Sequence, residues 1–132
     1  PFGYTTAQTT FFQQNAITSE ITRTIDSGGN IYGLTKIAAT INAIDTSNAD
    51  RTLSFTISQG ARSYNIQITR QFKINDSITI DSVKERVYVN GVQVPYTGRF
   101  PQVYKTNTFR FGIPNAVSFN ANVLVTYNKR WL

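Results

Sequence analysis

Apolar residues alternate with polar ones along most of this 132-residue chain, in short segments that end at turn-forming residues. In residues 53–57 and 64–68 every second side chain is apolar, and a Gln-Gly-Ala-Arg stretch joins the two segments. A period of two places the apolar side chains on one face of a strand, whereas a helix needs a period of about 3.6. The pattern therefore predicts antiparallel β-strands joined by tight turns, without an amphipathic helix.

This alternation predicts eight to nine strands in total. The alternating stretches are residues 17–25, 34–44, 53–57, 64–68, 78–80, 87–94 and 109–113, with one or two more inside residues 117–127. In the second of them Ile37, Ala39, Ile41 and Ala43 share one face. The first sixteen residues are rich in Thr and Gln, and we expect them to form an edge strand or an extended arm.

The clearest turn is the Asn-Gly pair at residues 90–91, which stands between two alternating apolar segments. Both residues tolerate the positive φ that a type I′ turn requires. A two-residue loop also sets the register, since it pairs Val89 with Val92 and Val87 with Val94. That register predicts the four valines on the core side and the tyrosine between the first two of them on the opposite face.

Strands at this spacing, with turns between them, favour an antiparallel β-sandwich over a single sheet closed on itself. Pro95, Gly98 and Pro101 interrupt regular pairing, so we predict that residues 96–105 form a loop that crosses between the sheets or passes around one end. No internal repeat, linker or low-complexity stretch divides the chain. Residues 1–132 are therefore predicted to form one β-sandwich domain.

The composition excludes most common catalytic and metal sites. Cys and His are both absent, which removes thiolate nucleophiles, imidazole bases, Ser-His-Asp triads and the usual zinc and haem ligands. The Asp residues lie in or beside predicted turns, where a carboxylate bonds nearby backbone, and this disfavours the carboxylate pair of a glycosidase. Asp45, Asn48 and Asp50 lack the glycine and distal acid of a calcium-binding EF-hand loop, so a plain loop is preferred. We predict no catalytic residue, no metal site and no cofactor.

The ends of the chain and its hydropathy give two further expectations. The sequence begins at Pro1 and contains no Met, which predicts a processed product or an excerpt of a longer protein. No apolar run approaches the roughly 18 residues that a membrane-spanning helix needs, and no charged-then-apolar leader opens the chain. A soluble domain without a membrane segment is expected.

The net charge of +6 is unevenly distributed along the chain. Up to residue 85 the basic and acidic residues cancel, whereas residues 86–132 contain six basic residues and no acid. Such a sector could meet phosphate, an acidic polysaccharide or an acidic protein surface. An ordinary solvated surface explains it equally well, because the six charges are spread rather than clustered.

Aromatic and basic side chains outside the predicted core face form the candidate binding surface. Other aromatics, such as Phe55, Phe109 and Phe111, lie on the alternating face and are expected to pack in the core. The candidate residues are Tyr88, Tyr96, Arg99, Phe100 and Tyr104. Tyr beside Arg is common both at protein interfaces and where sugars stack. A loop that only shields one end of a sandwich needs similar residues, so that interpretation stays open.

Four stretches, taken in order, resemble a known family. They are Asp-Ser-Ile-Thr-Ile-Asp at 76–81, Lys-Glu-Arg-Val-Tyr-Val-Asn-Gly at 84–91, Gly-Arg-Phe-Pro at 98–101 and the ending Tyr-Asn-Lys-Arg-Trp-Leu at 127–132. This order resembles the C-terminal galectin-like domain of siphophage distal tail proteins. The match is strongest from about residue 78 to the end, while the Gly29-Asn30 turn and the strand after it fit more loosely.

The resemblance implies a galectin-like jelly roll in the baseplate hub, at the tail tip of a phage virion. Such domains project outward and serve as docking surfaces for receptor-binding or other baseplate proteins, without catalysis. Their hexameric rings form through an N-terminal belt domain that this chain lacks, so the domain alone is expected to be monomeric. Trp131, the one Trp, is expected to cover one end of the core.

Two other functions stay open from the sequence. A carbohydrate-binding module could hold host cell-wall glycans with the loop tyrosines and Arg99, although the galectin sugar-binding signature of His, Asn-Pro-Arg and Trp-Glu is missing. A single-stranded nucleic-acid binder, which would stack bases on aromatic faces in a positive groove, is the third hypothesis. The preferred partners are other tail proteins, with no nucleic acid and no membrane.

Overall fold

The structure is a computed structural model that describes residues 3–4, 9–28, 33–45, 49–127 and 130–131. In this part of the chain every regular element is a β-strand. In chain order the strands are β1 (Gly3–Tyr4), β2 (Thr9–Ile17), β3 (Ile21–Asp26), β4 (Gly33–Ile44), β5 (Arg51–Gln59), β6 (Arg62–Arg70), β7 (Ser77–Asp81), β8 (Arg86–Val89), β9 (Val92–Gln93), β10 (Thr97–Gly98), β11 (Gln102–Val103), β12 (Thr106–Gly112), β13 (Phe119–Tyr127) and β14 (Arg130–Trp131). The predicted position of the Trp131 side chain, the Gly29-Asn30 turn and Asn48 fall outside what is described.

The strands form two antiparallel sheets that pack face to face. One sheet has five strands in the order β10-β6-β5-β12-β3. The other has the order β2-β13-β4-β7-β8-β9, with β11 also paired to β4, while β1 and β14 pair with each other apart from both sheets. The predicted antiparallel β-sandwich is confirmed. Nine of the described strands have four or more residues, in line with the eight to nine expected, and the other five have two residues each.

The core lies between the two sheets and is built from the alternating apolar side chains. On β5 the residues Leu53, Phe55 and Ile57 are completely buried, and polar residues between them face outward. Rings from both sheets meet there: the ring centroid of Phe109 on β12 is 4.7 Å from that of Phe12 on β2 and 6.4 Å from that of Phe55. The expected packing role of these phenylalanines is confirmed.

The single strand predicted for residues 17–25 is wrong. Ile17 ends β2, and Ile21 begins β3 in the other sheet. The three residues between them, 18–20, form the connection and are exposed. Alternation continues across this corner because both isoleucines must reach the core, so the pattern cannot reveal that the chain changes sheets. Residues 9–17 do form an edge strand, as one of the two expectations for the N-terminal region proposed.

The Asn-Gly hairpin at residues 90–91 has the predicted register. Val89 pairs with Val92, and the backbone N–H of Val94 donates to the carbonyl of Val87 at 2.9 Å. Both turn residues have positive φ, as a type I′ turn requires. The prediction that all four valines face the core is wrong, because Val89 is 3% exposed whereas Val92 is 65% exposed. β9 is the last strand of its sheet, so few side chains of the facing sheet are available to pack against a residue on it.

Irregular pairing changes which residues face inward at two other places. The register between β4 and β13 shifts near Ala43, which is exposed instead of sharing the face of Ile37, Ala39 and Ile41. A second shift, between β2 and β13, lets the adjacent residues Phe11 and Phe12 both be buried. Each shift follows from a β-bulge, in which an extra residue reverses the alternation on one strand.

Asn107 is a buried polar residue on the inner face of β12 that the hydropathy pattern did not single out. Its Oδ1 accepts hydrogen bonds from Nε2 of Gln59 at 2.7 Å and from the backbone N–H of Tyr104 at 3.0 Å. Its Nδ2 donates to the carbonyls of Lys105 at 2.9 Å and Ile25 at 3.2 Å. The side chain thus fastens the segment before β12 to the neighbouring strands.

We expect Asn107→Leu to lower the free energy of unfolding by about 2 kcal/mol, because the backbone groups that the amide satisfies would stay buried and unpaired. Urea denaturation followed by far-UV circular dichroism measures this change. Thr108→Val on the outer face of the same strand is the matched control, with an expected change of less than about 0.5 kcal/mol. Equal losses in the two variants would contradict a special role for the Asn107 amide.

Tyr127 closes the sandwich at the end of β13. Its hydroxyl donates a hydrogen bond to the carbonyl of Ser27. Burial raises the pKa of this hydroxyl above its usual value, and the negative charge of Asp26 raises it further. The hydroxyl therefore stays protonated at neutral pH and keeps donating to the Ser27 carbonyl.

Candidate functional site

Residues 96–105, called the crossover segment below, connect the two sheets along one side of the sandwich. Thr97 and Gly98 form β10, which pairs with Gln67 and Ile66 of β6 in the five-stranded sheet. Four residues later, β11 pairs with the beginning of β4 in the other sheet. The predicted crossing between the sheets is confirmed, and the two short strands attach each half of the crossing to regular structure.

Gly98 lets the crossover segment approach the backbone of β6 closely. Its φ is +103°, and a Cβ atom at this position would lie 2.0 Å from the carbonyl oxygen of Asn65. No side chain fits there. The next residue, Arg99, donates its backbone N–H to that same carbonyl at 2.8 Å. The glycine of the Gly-Arg-Phe-Pro stretch therefore determines the position of the Arg99 backbone against β6.

Pro101 is held from the opposite side by a small buried network. Its carbonyl oxygen accepts hydrogen bonds from the hydroxyl of Thr35 at 2.8 Å and from that of Ser82 at 3.1 Å. The two hydroxyl oxygens are themselves 3.0 Å apart. Thr35 belongs to β4 and Ser82 follows β7, so this network fixes the crossover segment to the second sheet. Residues 98–101 are thus anchored to both layers.

A cleft of about 360 Å³, called the crossover cleft below, opens beside these anchors. The aromatic and charged side chains that line it are those of Tyr64, Glu85, Tyr96, Arg99 and Phe100. The rings of Tyr96 and Phe100 meet edge to face with centroids 4.8 Å apart. Tyr96 is 39% exposed, so part of this aromatic wall faces solvent.

Charged groups of both signs line the same cleft. The guanidinium carbon of Arg99 lies 4.9 Å from the centroid of the buried Tyr64 ring, which is a cation–π contact. Glu85 is exposed in the turn between β7 and β8. Neither Arg99 nor Glu85 forms an ion pair with any other residue that the structure describes. Both residues are exposed where they line the cleft.

The structure brings together three of the five predicted site residues. Tyr96, Arg99 and Phe100 share the crossover cleft. Tyr88 lies elsewhere, half-buried on β8 and paired with Thr79 and Gln93 of the neighbouring strands. It points away from the core residues Val87 and Val89, as predicted, and does not line the cleft.

Tyr104 is also separate from the cleft. It lines a different hollow of about 560 Å³, together with Arg62 and Lys105. The ammonium nitrogen of Lys105 lies 5.2 Å from the centroid of the Tyr104 ring.

Tyr64 and Glu85 belong to the cleft but were not predicted to. The alternation places Tyr64 on the core face of β6, and Glu85 falls in a polar turn, so neither stands out locally. Gly98 is the sequence signal that another strand lies close to this loop, because a glycine among larger residues often marks close approach to another backbone. It does not say which backbone.

The carboxylates predicted to sit in turns have structural partners. Asp45 forms an ion pair with Arg51, and Oδ1 of Asp45 also accepts from the backbone N–H of Val117 at 3.2 Å. Oδ1 of Asp76 accepts from Nδ2 of Asn90 at 2.9 Å, which ties the segment before β7 to the Asn-Gly turn. Over the described ranges, no group of three or more acidic residues is placed to hold a metal ion.

Three of the basic residues after position 85 that the structure describes lie on separate parts of the surface. Arg99 lines the crossover cleft, whereas Arg110 faces outward on β12 with its Nε 3.7 Å from Oε1 of Glu20. Lys105 belongs to the hollow beside Tyr104. The described members of the charge sector thus lie at separate places: Arg99 lies with Tyr96 and Phe100, and Lys105 lies beside Tyr104.

The described part of the chain is thus an antiparallel β-sandwich with aromatic and charged side chains in one surface cleft. In the residues that the structure covers, no helix has the length and hydrophobicity to cross a membrane.

The family follows from comparison with known proteins. The chain belongs to the siphovirus-type tail components: the model of their C-terminal domain matches residues 37–131. No curated protein and no solved structure matches the chain significantly. The tail-protein resemblance inferred from the sequence is confirmed, and the chain is a structural component of a phage tail.

Proposed function

We propose that this domain is a non-enzymatic docking module of the phage baseplate, and that receptor-binding or other baseplate proteins seat on the crossover cleft. The observation that carries the proposal is the convergence of Tyr96, Arg99 and Phe100 in one cleft on a segment attached to both sheets. Membership in the tail-component family supports the assembly role.

The physical case rests on the side-chain types and on their rigidity. Tyr and Arg are enriched among the residues that dominate binding energy at protein interfaces, where they fill desolvated pockets. Association costs conformational entropy when such side chains must be ordered. Here the backbone of Arg99 is already bonded to Asn65, and Tyr96 already packs on Phe100. A partner would therefore meet a surface that needs little reorganisation.

In this proposal the domain alone is monomeric and is displayed at the tail tip. Hexameric assembly belongs to an N-terminal ring-forming domain of the full-length protein. Each copy of the domain in the ring then presents one crossover cleft, which faces outward, as a docking position. Analytical ultracentrifugation of this chain should accordingly give the mass of a monomer.

The test uses the receptor-binding and baseplate proteins of the same phage, purified and titrated against this chain by isothermal calorimetry. We expect the Tyr96→Ala/Phe100→Ala double variant to weaken association with one of them at least about tenfold, which corresponds to about 1.4 kcal/mol. Leu124→Ala, on the outer face of the seven-stranded sheet, is the control and should bind as the unchanged chain does. Wild-type affinity in the double variant would overturn the proposed docking surface.

Glycan recognition is the competing function for the same cleft. An exposed Tyr96 edge beside side chains of opposite charge, Arg99 and Glu85, is also suited to sugar rings and hydroxyls. A glycan array carrying host cell-wall polymers separates the two functions. Binding that Tyr96→Ala and Arg99→Ala both abolish would assign the cleft to glycans and count against protein docking.

A further inference from the structure

The guanidinium of Arg99 contacts an aromatic ring, and within the described ranges no residue accepts from its N–H groups. Its carbon lies 4.9 Å from the centroid of the Tyr64 ring, and its backbone is fixed by the 2.8 Å hydrogen bond to Asn65. A cation–π contact does not use the hydrogen-bonding capacity of the guanidinium, so its N–H groups can still donate. In the described part of the chain, no carboxylate, carbonyl or hydroxyl accepts from this group.

Two other arginines of the fold have carboxylate partners. Arg51 is paired with Asp45, and both side chains are largely buried. Arg110 lies 3.7 Å from Glu20 on the open surface. Arg99 differs from both, because its charge is oriented by an aromatic ring instead of an acid and faces a cleft.

We propose that Arg99 anchors a carboxylate of the docking partner, supplied by an Asp or Glu side chain that enters the crossover cleft. This inference rests on the proposed docking function and names the partner group. A guanidinium presents two parallel N–H donors that match the two oxygens of a carboxylate. The wall formed by Tyr96 and Phe100 would pack against the stem of the entering side chain and exclude water, which strengthens the charge pairing.

The charge of the cleft favours a single carboxylate over a more highly charged group. Glu85 lines the same space and carries a negative charge. A phosphate monoester, with a charge between about −1.5 and −2 at neutral pH, would keep more uncompensated charge beside this one arginine than a carboxylate would. The single cation and the aromatic wall thus complement one acidic side chain on a protein surface.

The experiment titrates this chain with two blocked peptides, acetyl-Gly-Asp-Gly-amide and its isosteric Asn counterpart, at fixed ionic strength. The Nε–Hε resonance of Arg99 in ¹H–¹⁵N spectra is the readout, and that of Arg110 is the internal control. We expect a saturable shift at Arg99 with the Asp peptide alone and none at Arg110. Glu85→Gln should tighten Asp-peptide binding, because it removes the like charge.

Three results would overturn the proposal. Equal shifts with the Asp and Asn peptides would show that the carboxylate is not recognised. Equal shifts at Arg99 and Arg110 would show ordinary surface attraction. A stronger response to phenyl phosphate than to the Asp peptide would point to a phosphate site instead.

Failure here can be told apart from failure of docking itself. Arg99→Gln and Arg99→Lys are titrated against the same baseplate proteins as the Tyr96 and Phe100 variants. If the aromatic variants lose binding and both Arg99 variants keep it, docking holds and the carboxylate anchor is wrong. If Arg99→Lys keeps the charge but loses at least about tenfold in affinity, the planar fork is required, as proposed. Unchanged thermal unfolding of both variants excludes loss of the fold.

Discussion

Phe109→Ala is expected to lower the free energy of unfolding by about 4 kcal/mol, the largest single effect that this fold predicts. The Phe109 ring is completely buried and lies between the sheets. It contacts Phe11 at 6.2 Å and Phe12 at 4.7 Å between ring centroids, as well as Phe55. Truncation would leave a cavity bordered by residues of both layers, which the strands cannot close without breaking their hydrogen bonds.

Urea denaturation of the purified chain measures this loss. Val117→Ala is the control, because it also removes apolar carbons but from a side chain that is 88% exposed. Its expected effect is within about 0.5 kcal/mol of zero. A loss of less than about 1 kcal/mol for Phe109→Ala would be inconsistent with the ring lying at the centre of the core.

Gly98→Ala is expected to lower the free energy of unfolding by about 3 kcal/mol, through backbone strain at positive φ and through steric overlap. The added Cβ would lie 2.0 Å from the carbonyl oxygen of Asn65, which belongs to the backbone of β6 and has little freedom to move. The crossover segment can relieve the overlap only by separating from β6. That separation would break the hydrogen bond from Arg99 and open the crossover cleft.

Gly60→Ala is the matched control for this substitution. Gly60 also has positive φ, at +54°, but an added Cβ would meet nothing within 4 Å. It should therefore cost about 1 kcal/mol, from strain alone. Amide hydrogen exchange at Arg99 separates the two variants further, since protection should be lost in Gly98→Ala and kept in Gly60→Ala. Equal stability losses and equal protection would argue against the close approach at Gly98.

Parts of the fold that depend on near neighbours in the chain could be predicted. The Asn-Gly turn at 90–91 sets its own register, because its backbone conformation determines which residues face each other. The hairpin between β5 and β6 follows in the same way from the Gly60-Ala61 turn. The buried role of Phe55 and Phe111 follows from alternation alone.

The errors lie where distant parts of the chain decide the outcome. Val92 is apolar and correctly paired, yet it is exposed because its strand ends the sheet. Ala43 faces outward because a bulge against β13 reverses the alternation there. The corner between Ile17 and Ile21 is invisible to hydropathy, since both sides of it face the same core.

The candidate site likewise has residues that the sequence predicted and residues that only the fold brings together. The residue types of Tyr96, Arg99 and Phe100 predicted that they would be exposed candidate binding residues. Because they lie within five residues of one another, the sequence also favoured a shared location. Tyr64 and Glu85 join them from other strands, and Tyr88 does not, although it is closer in sequence to the crossover segment than Tyr64 is. Only the path of the chain across the sandwich distinguishes these cases.

The sequence by itself determined the all-β class, the local hairpins and the absence of Cys and His chemistry, because these depend on side-chain period, turn conformation and residue type. The tertiary structure alone decided which strands end each sheet, where bulges reverse a face, and that a buried tyrosine holds the Arg99 guanidinium at the mouth of a cleft. Such features arise when segments far apart in the chain compete for the same space, and no local pattern records the result of that competition.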